Sequence, residues 1–248
     1  KTVVSSGGVS GAYIGRKFGF QKVTTDASEV FSDPRINTVV IATRHDSHAS
    51  LVCQALRSGK NVFVEKPLAI RRDQLDEIRS LYSSLPQPAP LLMVGYNRRF
   101  SPHTLKIKSL LANTSEPKAF IMTVNAGAVP SKHWTQDLSV GGGRIIGECC
   151  HFIDLLRFLA GSPIDSVETT VLGGPSDAKA LKDSLSISLV FKNGSIGTIH
   201  YLANGHRSLG KERLEVFCEG RVLQLDNFRK LKGFGWDHFT QMRSWKQD

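Results

Sequence analysis

The stretch from Ser58 to Pro67, SGKNVFVEKP, places Glu65, Lys66 and Pro67 directly after an apolar run, Asn61 to Val64, that reads as a buried strand. A carboxylate and an ammonium at the end of a parallel strand stand on the edge where open α/β sheets bind ligands. The same two residues also fit a solvated ion pair beside a turn proline. A second constellation lies on an otherwise apolar helix, Ile145 to Leu159, where Glu148, His151, Asp154 and Arg157 form a polar stripe. Buried polar groups need partners, so such a stripe is either an ion-pair network or a site. Within it His151 is the natural proton carrier, because imidazole titrates near neutrality. Glu148 three residues before it and Asp154 three after it can each reach the ring along a helix face. Arg98 and Arg99 either meet an anionic group or pair with carboxylates. His48 reads as a helix-terminal structural residue or a lining one, and His133 and Trp134 as an exposed loop or a ligand contact.

The elements that must position these residues alternate in the first half. Strands are expected at Thr2 to Ser5, Thr38 to Ala42, Asn61 to Val64 and Leu91 to Gly95. Helices are expected at Ser10 to Phe18, around Ser28 to Phe31, after a cap at Asp46 or Ser47, and around Leu75 to Leu81. Thr38 to Ala42 is continuous and β-branched, the pattern of a strand buried on both faces. After Arg99 the style changes. A helix is expected at His103 to Leu111 and another at Ile145 to Leu159; between and beyond them run alternating strands, with hairpin turns at Asn193-Gly194 and Glu219-Gly220. Leu185, Ile187, Leu189 and Phe191 alternate with Ser184, Ser186 and Ser188, and their apolar face is expected to be left uncovered by helices and to bind another subunit. The expected fold is α/β: a partial doubly wound parallel sheet over residues 1–99, then an α+β domain with a large open antiparallel sheet over 100–248.

At 248 residues and 40% hydrophobic content the chain can bury a sizeable core, and no apolar run is long enough to cross a bilayer. No membrane partner is expected, and a cytoplasmic location is. Cys53, Cys149, Cys150 and Cys218 show no CxxC spacing, which argues for thiols in a reducing compartment; no metal is expected. Lysine plus arginine exceeds aspartate plus glutamate by 32 − 22 = 10. That surplus suits an anionic ligand, but no nucleic-acid motif accompanies it, so nucleic acid is not expected as a partner.

Four segments, in this order and spacing, resemble the Gfo/Idh/MocA oxidoreductases: IATRHDSHASL (Ile41 to Leu51), the EKP segment, VGYNRRFSP (Val94 to Pro102) and GGGRIIGECCHFIDLLRFLAG (Gly141 to Gly161). The resemblance covers nearly the whole chain. It implies a Rossmann domain followed by an open-sheet domain that often mediates homo-oligomerisation. It also implies hydride transfer between NAD or NADP and a carbinol carbon of a sugar, polyol or related compound. Lys66 matches the family's EKP lysine, whose ammonium can stabilise the reacting oxygen, and His151 matches its second proton-handling residue. The two are expected to converge on one carbinol oxygen, with Glu148 or Asp154 orienting the imidazole. Ser5, Thr43, Arg44, His48, Glu65, Lys66 and Asn97 are the expected cofactor contacts, and Arg98, Arg99, His133 and Trp134 the expected substrate contacts.

The sequence departs from the family pattern in places. Gly147 stands where the family has an aspartate, and the nearest carboxylate, Glu148, lies about 100° further around an α-helix. Arg44 and His45 replace a proline and an asparagine. The chain opens at what reads as a second strand, without the glycine-rich pyrophosphate loop, and ends near Trp245 and Asp248 before an expected closing helix; truncation at both ends is the reading. With Ser5 and Ser6 in place of a ribose-binding carboxylate, and Arg16 and Lys17 a few residues on, the cofactor preference leans to NADP. The alternative function is a non-catalytic sugar- or dinucleotide-binding regulatory member of the same family.

Overall fold

In the computed structural model, which describes residues 1–173 and 183–244, the chain divides into two compact units, Lys1–Gly95 and Tyr96–Asp248. Trp245 and Asp248, near which the chain's end was expected to be cut short, lie outside the described residues.

The first unit alternates strand and helix: β1 (Thr2–Val4), α1 (Gly8–Phe18), β2 (Lys22–Thr24), α2 (Ser28–Ser32), β3 (Thr38–Ile41), α3 (His45–Arg57), β4 (Asn61–Val64), α4 (Arg72–Ser84) and β5 (Leu92–Val94). β1 and β2 pair in parallel; β3, β4 and β5 form a second parallel sheet in sequential order. Crossovers of one hand that advance in one direction put both connecting helices on the same face. Accordingly Val52, Cys53 and Leu56 of α3 and Ile78 of α4 bury against Ile41, Val62 and Val64. This corrects one expectation: β3 is not buried on both faces. Ile41 is 3% exposed and its neighbour Val40 is 69% exposed. α3 also starts earlier than expected. Its N-cap is Arg44, with no side-chain capping bond, and Asp46 sits inside the first turn, where a negative charge suits the helix dipole.

The second unit opens with a 3₁₀ turn, Asn97–Phe100, followed by α5 (Pro102–Leu111), which Ser101 caps by accepting from the Thr104 amide. Then come β6 (Ala119–Asn125), a π-helical turn at Ile145–Cys149, α6 (Cys150–Ala160), β7 (Ile164–Val171) and β8 (Leu185–Phe191). The remaining strands are β9 (Ile196–Leu202), β10 (Glu212–Cys218), β11 (Arg221–Asp226), β12 (Lys230–Phe234) and β13 (Gln241–Arg243). They form one sheet in the order β13-β12-β11-β10-β6-β9-β8-β7. The sheet is mixed rather than purely antiparallel, because β6 and β9 pair in parallel. Between β10 and β11, Glu219 and Gly220 both take positive φ (50° and 72°), the backbone of a tight hairpin turn.

The alternating residues Leu185, Ile187, Leu189 and Phe191 do point to one face, but helices cover that face. Phe152, Leu155, Leu156 and Leu159 of α6 and Ile107 of α5 pack there with Phe120, Met122, Ile199 and Tyr201. The uncovered face is the other one. Its register aligns an apolar row, Phe234, Val222, Phe217, Ala119, Ile196 and Val190, across six strands. Among the described residues, no helix is long and apolar enough to cross a membrane.

Candidate functional site

In the first unit, the candidate cofactor residues lie at or just beyond the ends of parallel strands, Ser5 in one sheet and the others in a second. The Glu65 amide donates to the Ile41 carbonyl (2.9 Å) and the Gly95 amide to the Val64 carbonyl (2.7 Å), so the three strand exits stay in step. A side chain at Gly95 would meet the Phe63 ring at 3.1 Å and the Glu65 carboxylate at 3.2 Å. Its absence leaves room for the Glu65 carboxylate beside the exit of β5. Lys66 follows at once, at the exit of β4. Thr43 sits at the exit of β3 with its hydroxyl 2.6 Å from that of Ser47. His48 is fully buried, its Nδ1 2.8 Å from the Pro67 carbonyl oxygen and its Nε2 3.1 Å from that of Thr43.

Ser5 lies just beyond β1, its amide bonded to the Thr24 carbonyl and its hydroxyl 3.1 Å from that of Ser10. Arg16 and Lys17 do not accompany it. They occupy the last turn of α1, whereas Ser5 precedes the first, a separation of roughly 12 Å along a helix of this length. The basic pair therefore gives no support to an NADP preference at Ser5.

In the second unit, His151 is 5% exposed on α6 and meets the Tyr96 ring edge-on, centroids 6.1 Å apart. Burial, then the neighbouring Cys150 and Asp154, pushes the Tyr96 hydroxyl up to about 12. Tyr96, Cys150, Ile153, Asp154 and Arg157 line a cavity of about 290 Å³. The sequence had singled out neither Tyr96 nor Cys150, although Tyr96 immediately precedes Asn97, Arg98 and Arg99 in the quoted motif.

The two carboxylates expected to orient His151 are engaged by other groups. Asp154 accepts both prongs of the Arg99 guanidinium, the Nε bond measuring 2.5 Å, and Arg99 also stacks over Phe158. Glu148 accepts from Lys211 Nζ (2.5 Å), the Tyr201 hydroxyl (2.5 Å) and Arg144 Nη2 (3.3 Å). Burial by itself would raise the Glu148 carboxyl. The bonds from Lys211 and Tyr201 and the charges of Lys211 and Arg144 prevail and hold it at about 2. A three-residue spacing aims Glu148 at His151 only in an α-helix, whereas residues 145–149 form a π turn, which adds a residue per turn and re-aims the side chains.

Arg98 resolves the same way as Arg99. It donates bidentately to Glu212, itself 4% exposed, and stacks over Phe152 at 4.9 Å. Both arginines thus follow the carboxylate-pairing reading, fastening the 3₁₀ turn to β10 and α6. Asn97 in that turn is exposed. His133 is exposed, its Nδ1 2.8 Å from the Thr135 hydroxyl and its ring 5.9 Å from that of Trp134. Among the described residues, no group of three or more His, Cys, Asp or Glu side chains is arranged to hold a metal ion.

Comparison with known proteins bears on both units. Residues 2–96 match the family model described as an oxidoreductase family with an NAD-binding Rossmann fold, and residues 108–224 match that of the GFO/IDH/MocA C-terminal domain. The chain is 27% identical to myo-inositol 2-dehydrogenase of Thermotoga maritima over 86% of its own length and 64% of that protein's. It is 25% identical to levoglucosan dehydrogenase of Pseudarthrobacter phenanthrenivorans, over 77% and 55% of the respective lengths. With scyllo-inositol 2-dehydrogenase (NAD(+)) of Bacillus subtilis it shares 31% identity over 62% and 44%. The chain therefore spans less than two thirds of each of these curated relatives. Among solved structures, levoglucosan dehydrogenase in complex with NADH superposes with a TM-score of 0.83 at 22% identity, covering 98% of this chain and 70% of that one.

Proposed function

The chain belongs to the GFO/IDH/MocA oxidoreductase family, and on that premise we propose that it serves an NAD(P)-dependent dehydrogenase acting on a CH–OH group of a sugar, polyol or sugar derivative. The observation that carries the proposal is the placement of Lys66 at the exit of β4, on the ligand-binding edge of a parallel sheet. The donors along that edge suit a dinucleotide. A hydroxyl at Thr43 and an ammonium at Lys66 match a ligand that is both hydroxylated and anionic. When bound, the nicotinamide supplies the hydride acceptor or donor. Lys66 donates a hydrogen bond to the reacting oxygen and stabilises the negative charge that develops there. His151 takes up the hydroxyl proton during oxidation and returns it during reduction.

Relatives named for inositols and levoglucosan support cyclic polyols and anhydrosugars as the substrate class. The lean to NADP now rests only on Ser5 and Ser6, which provide no carboxylate for a ribose hydroxyl. We further place the exposed apolar row of the sheet in a homo-oligomer interface, and the protein, whose cysteines are thiols, in the cytoplasm. Gly147 favours the second reading, a binding protein without turnover. Formation of reduced nicotinamide from NAD⁺ and NADP⁺ with a panel of inositols, levoglucosan and common sugars separates the two. Saturable ligand binding with no turnover across the panel would put the binding protein first.

A further inference from the structure

His48 stands on the first turn of α3, and helical side chains lean toward the N-terminus, which carries its ring back to the strand exits. The two carbonyls it reaches belong to different strands: Thr43 follows β3 and Pro67 follows β4. Lys66 lies between two tethers. On one side Glu65 donates its amide to the Ile41 carbonyl, and on the other the Pro67 carbonyl meets the His48 ring. Pro67 has no amide of its own with which to anchor this stretch. The ring has no exposed surface and stands 5.7 Å from that of His45, so solvent has no direct route to replace a lost bond.

We propose that His48 is a positioning residue for Lys66: its Nδ1–H, donated to the Pro67 carbonyl, ties the first turn of α3 to the exit of β4 and so fixes the backbone that carries the ammonium, without touching dinucleotide or substrate. This assignment rests on the reading of Lys66 as catalytic. A carbonyl only accepts and a neutral imidazole carries a single N–H, so the ring donates to one of the two carbonyls, and the shorter contact marks Nδ1 as the donor. The shorter contact, Nδ1 to Pro67, is the one adjacent to Lys66.

Isosteric amides can separate the two contacts. The amide nitrogen of asparagine falls near the place of Nδ1, and that of glutamine near the place of Nε2. His48→Asn therefore keeps the Pro67 bond, His48→Gln reaches only the Thr43 carbonyl, and His48→Leu reaches neither. Since a small displacement of a reacting group costs up to about a hundredfold in rate, kcat should fall about tenfold or more in His48→Gln and His48→Leu. It should recover to within about threefold of the parent in His48→Asn, with dinucleotide Kd within about twofold throughout. Hydrogen–deuterium exchange supplies a readout independent of turnover. The amides of residues 64–68 should exchange about tenfold faster in the Gln and Leu variants, and at the parent rate in the Asn variant.

A rise in dinucleotide Kd with unchanged exchange would overturn the proposal and make His48 a cofactor contact. Faster exchange with unchanged kcat would overturn the positioning role of His48, and Lys66→Ala tests the reading of Lys66 separately. Loss of kcat in equal measure in all three variants would also refute the proposal. If the variants fail to fold, the parent decides by NMR: a His48 Nδ1 proton that exchanges as fast as an exposed imidazole would overturn the tether.

Discussion

Replacing Glu148 by glutamine tests whether that carboxylate is a structural hub or an orienting group for His151. The folded carboxyl sits at about 2 against an ordinary 4.5, a difference of 4.5 − 2 = 2.5 pH units. At about 1.4 kcal/mol per unit this converts to roughly 3.5 kcal/mol before solvent screening. Lys211, one of the main contributors, is half exposed, and solvent screens its share, so about 2 kcal/mol is the expected contribution at neutral pH. The folded value is depressed, so the stabilisation is fully present above the ordinary value near 4.5 and is lost as pH falls toward about 2. Glutamine keeps the shape but carries no charge. Arg144 (7% exposed) then loses a carboxylate partner in a buried setting. Urea titrations of parent and variant at closely spaced pH values supply the measurement. The variant should lose about 2 kcal/mol at neutral pH, and the gap should narrow between pH 4.5 and the lowest pH at which the parent stays folded. A gap below about 0.5 kcal/mol at neutral pH, or one independent of pH, would refute the assignment of Glu148 to this network. Turnover falling much further than stability would restore Glu148 to the chemistry of His151.

Lys66→Ala and His151→Ala should each lower turnover by roughly a hundredfold or more with the dinucleotide still bound, measured by steady-state kinetics beside binding calorimetry. Near-normal turnover in both would reject the proton-transfer roles. Arg98→Met leaves Glu212 buried without its bidentate partner and should cost about 3–5 kcal/mol in chemical denaturation; a loss under 1 kcal/mol would make the pair dispensable. Ile196→Lys with Phe217→Glu places charges in the exposed apolar row and should reduce the assembly to a smaller species in light scattering. An unchanged mass would move the interface elsewhere.

Local features of this protein were legible from residue order. The period of Leu185, Ile187, Leu189 and Phe191, the turn at Glu219-Gly220 and the strand that delivers Lys66 depend on neighbours within a few positions. Backbone dihedral preference and side-chain alternation act at that range. The four quoted motifs likewise carried the family, because they mark strand ends and one helix face in a fixed order.

Partnership was decided by the tertiary structure. Arg98 meets a carboxylate 114 residues away, Arg99 one 55 residues away, and Glu148 a tyrosine 53 and a lysine 63 residues away. Nothing local distinguishes these pairings from a ligand site, since the same charged side chains serve both. The π turn before His151, the parallel contact of β6 with β9 and the exposed second face of β3 were equally hidden. Each depends on which segment returns to pack alongside, and burial against a distant segment, not local propensity, selects among the arrangements a short sequence permits.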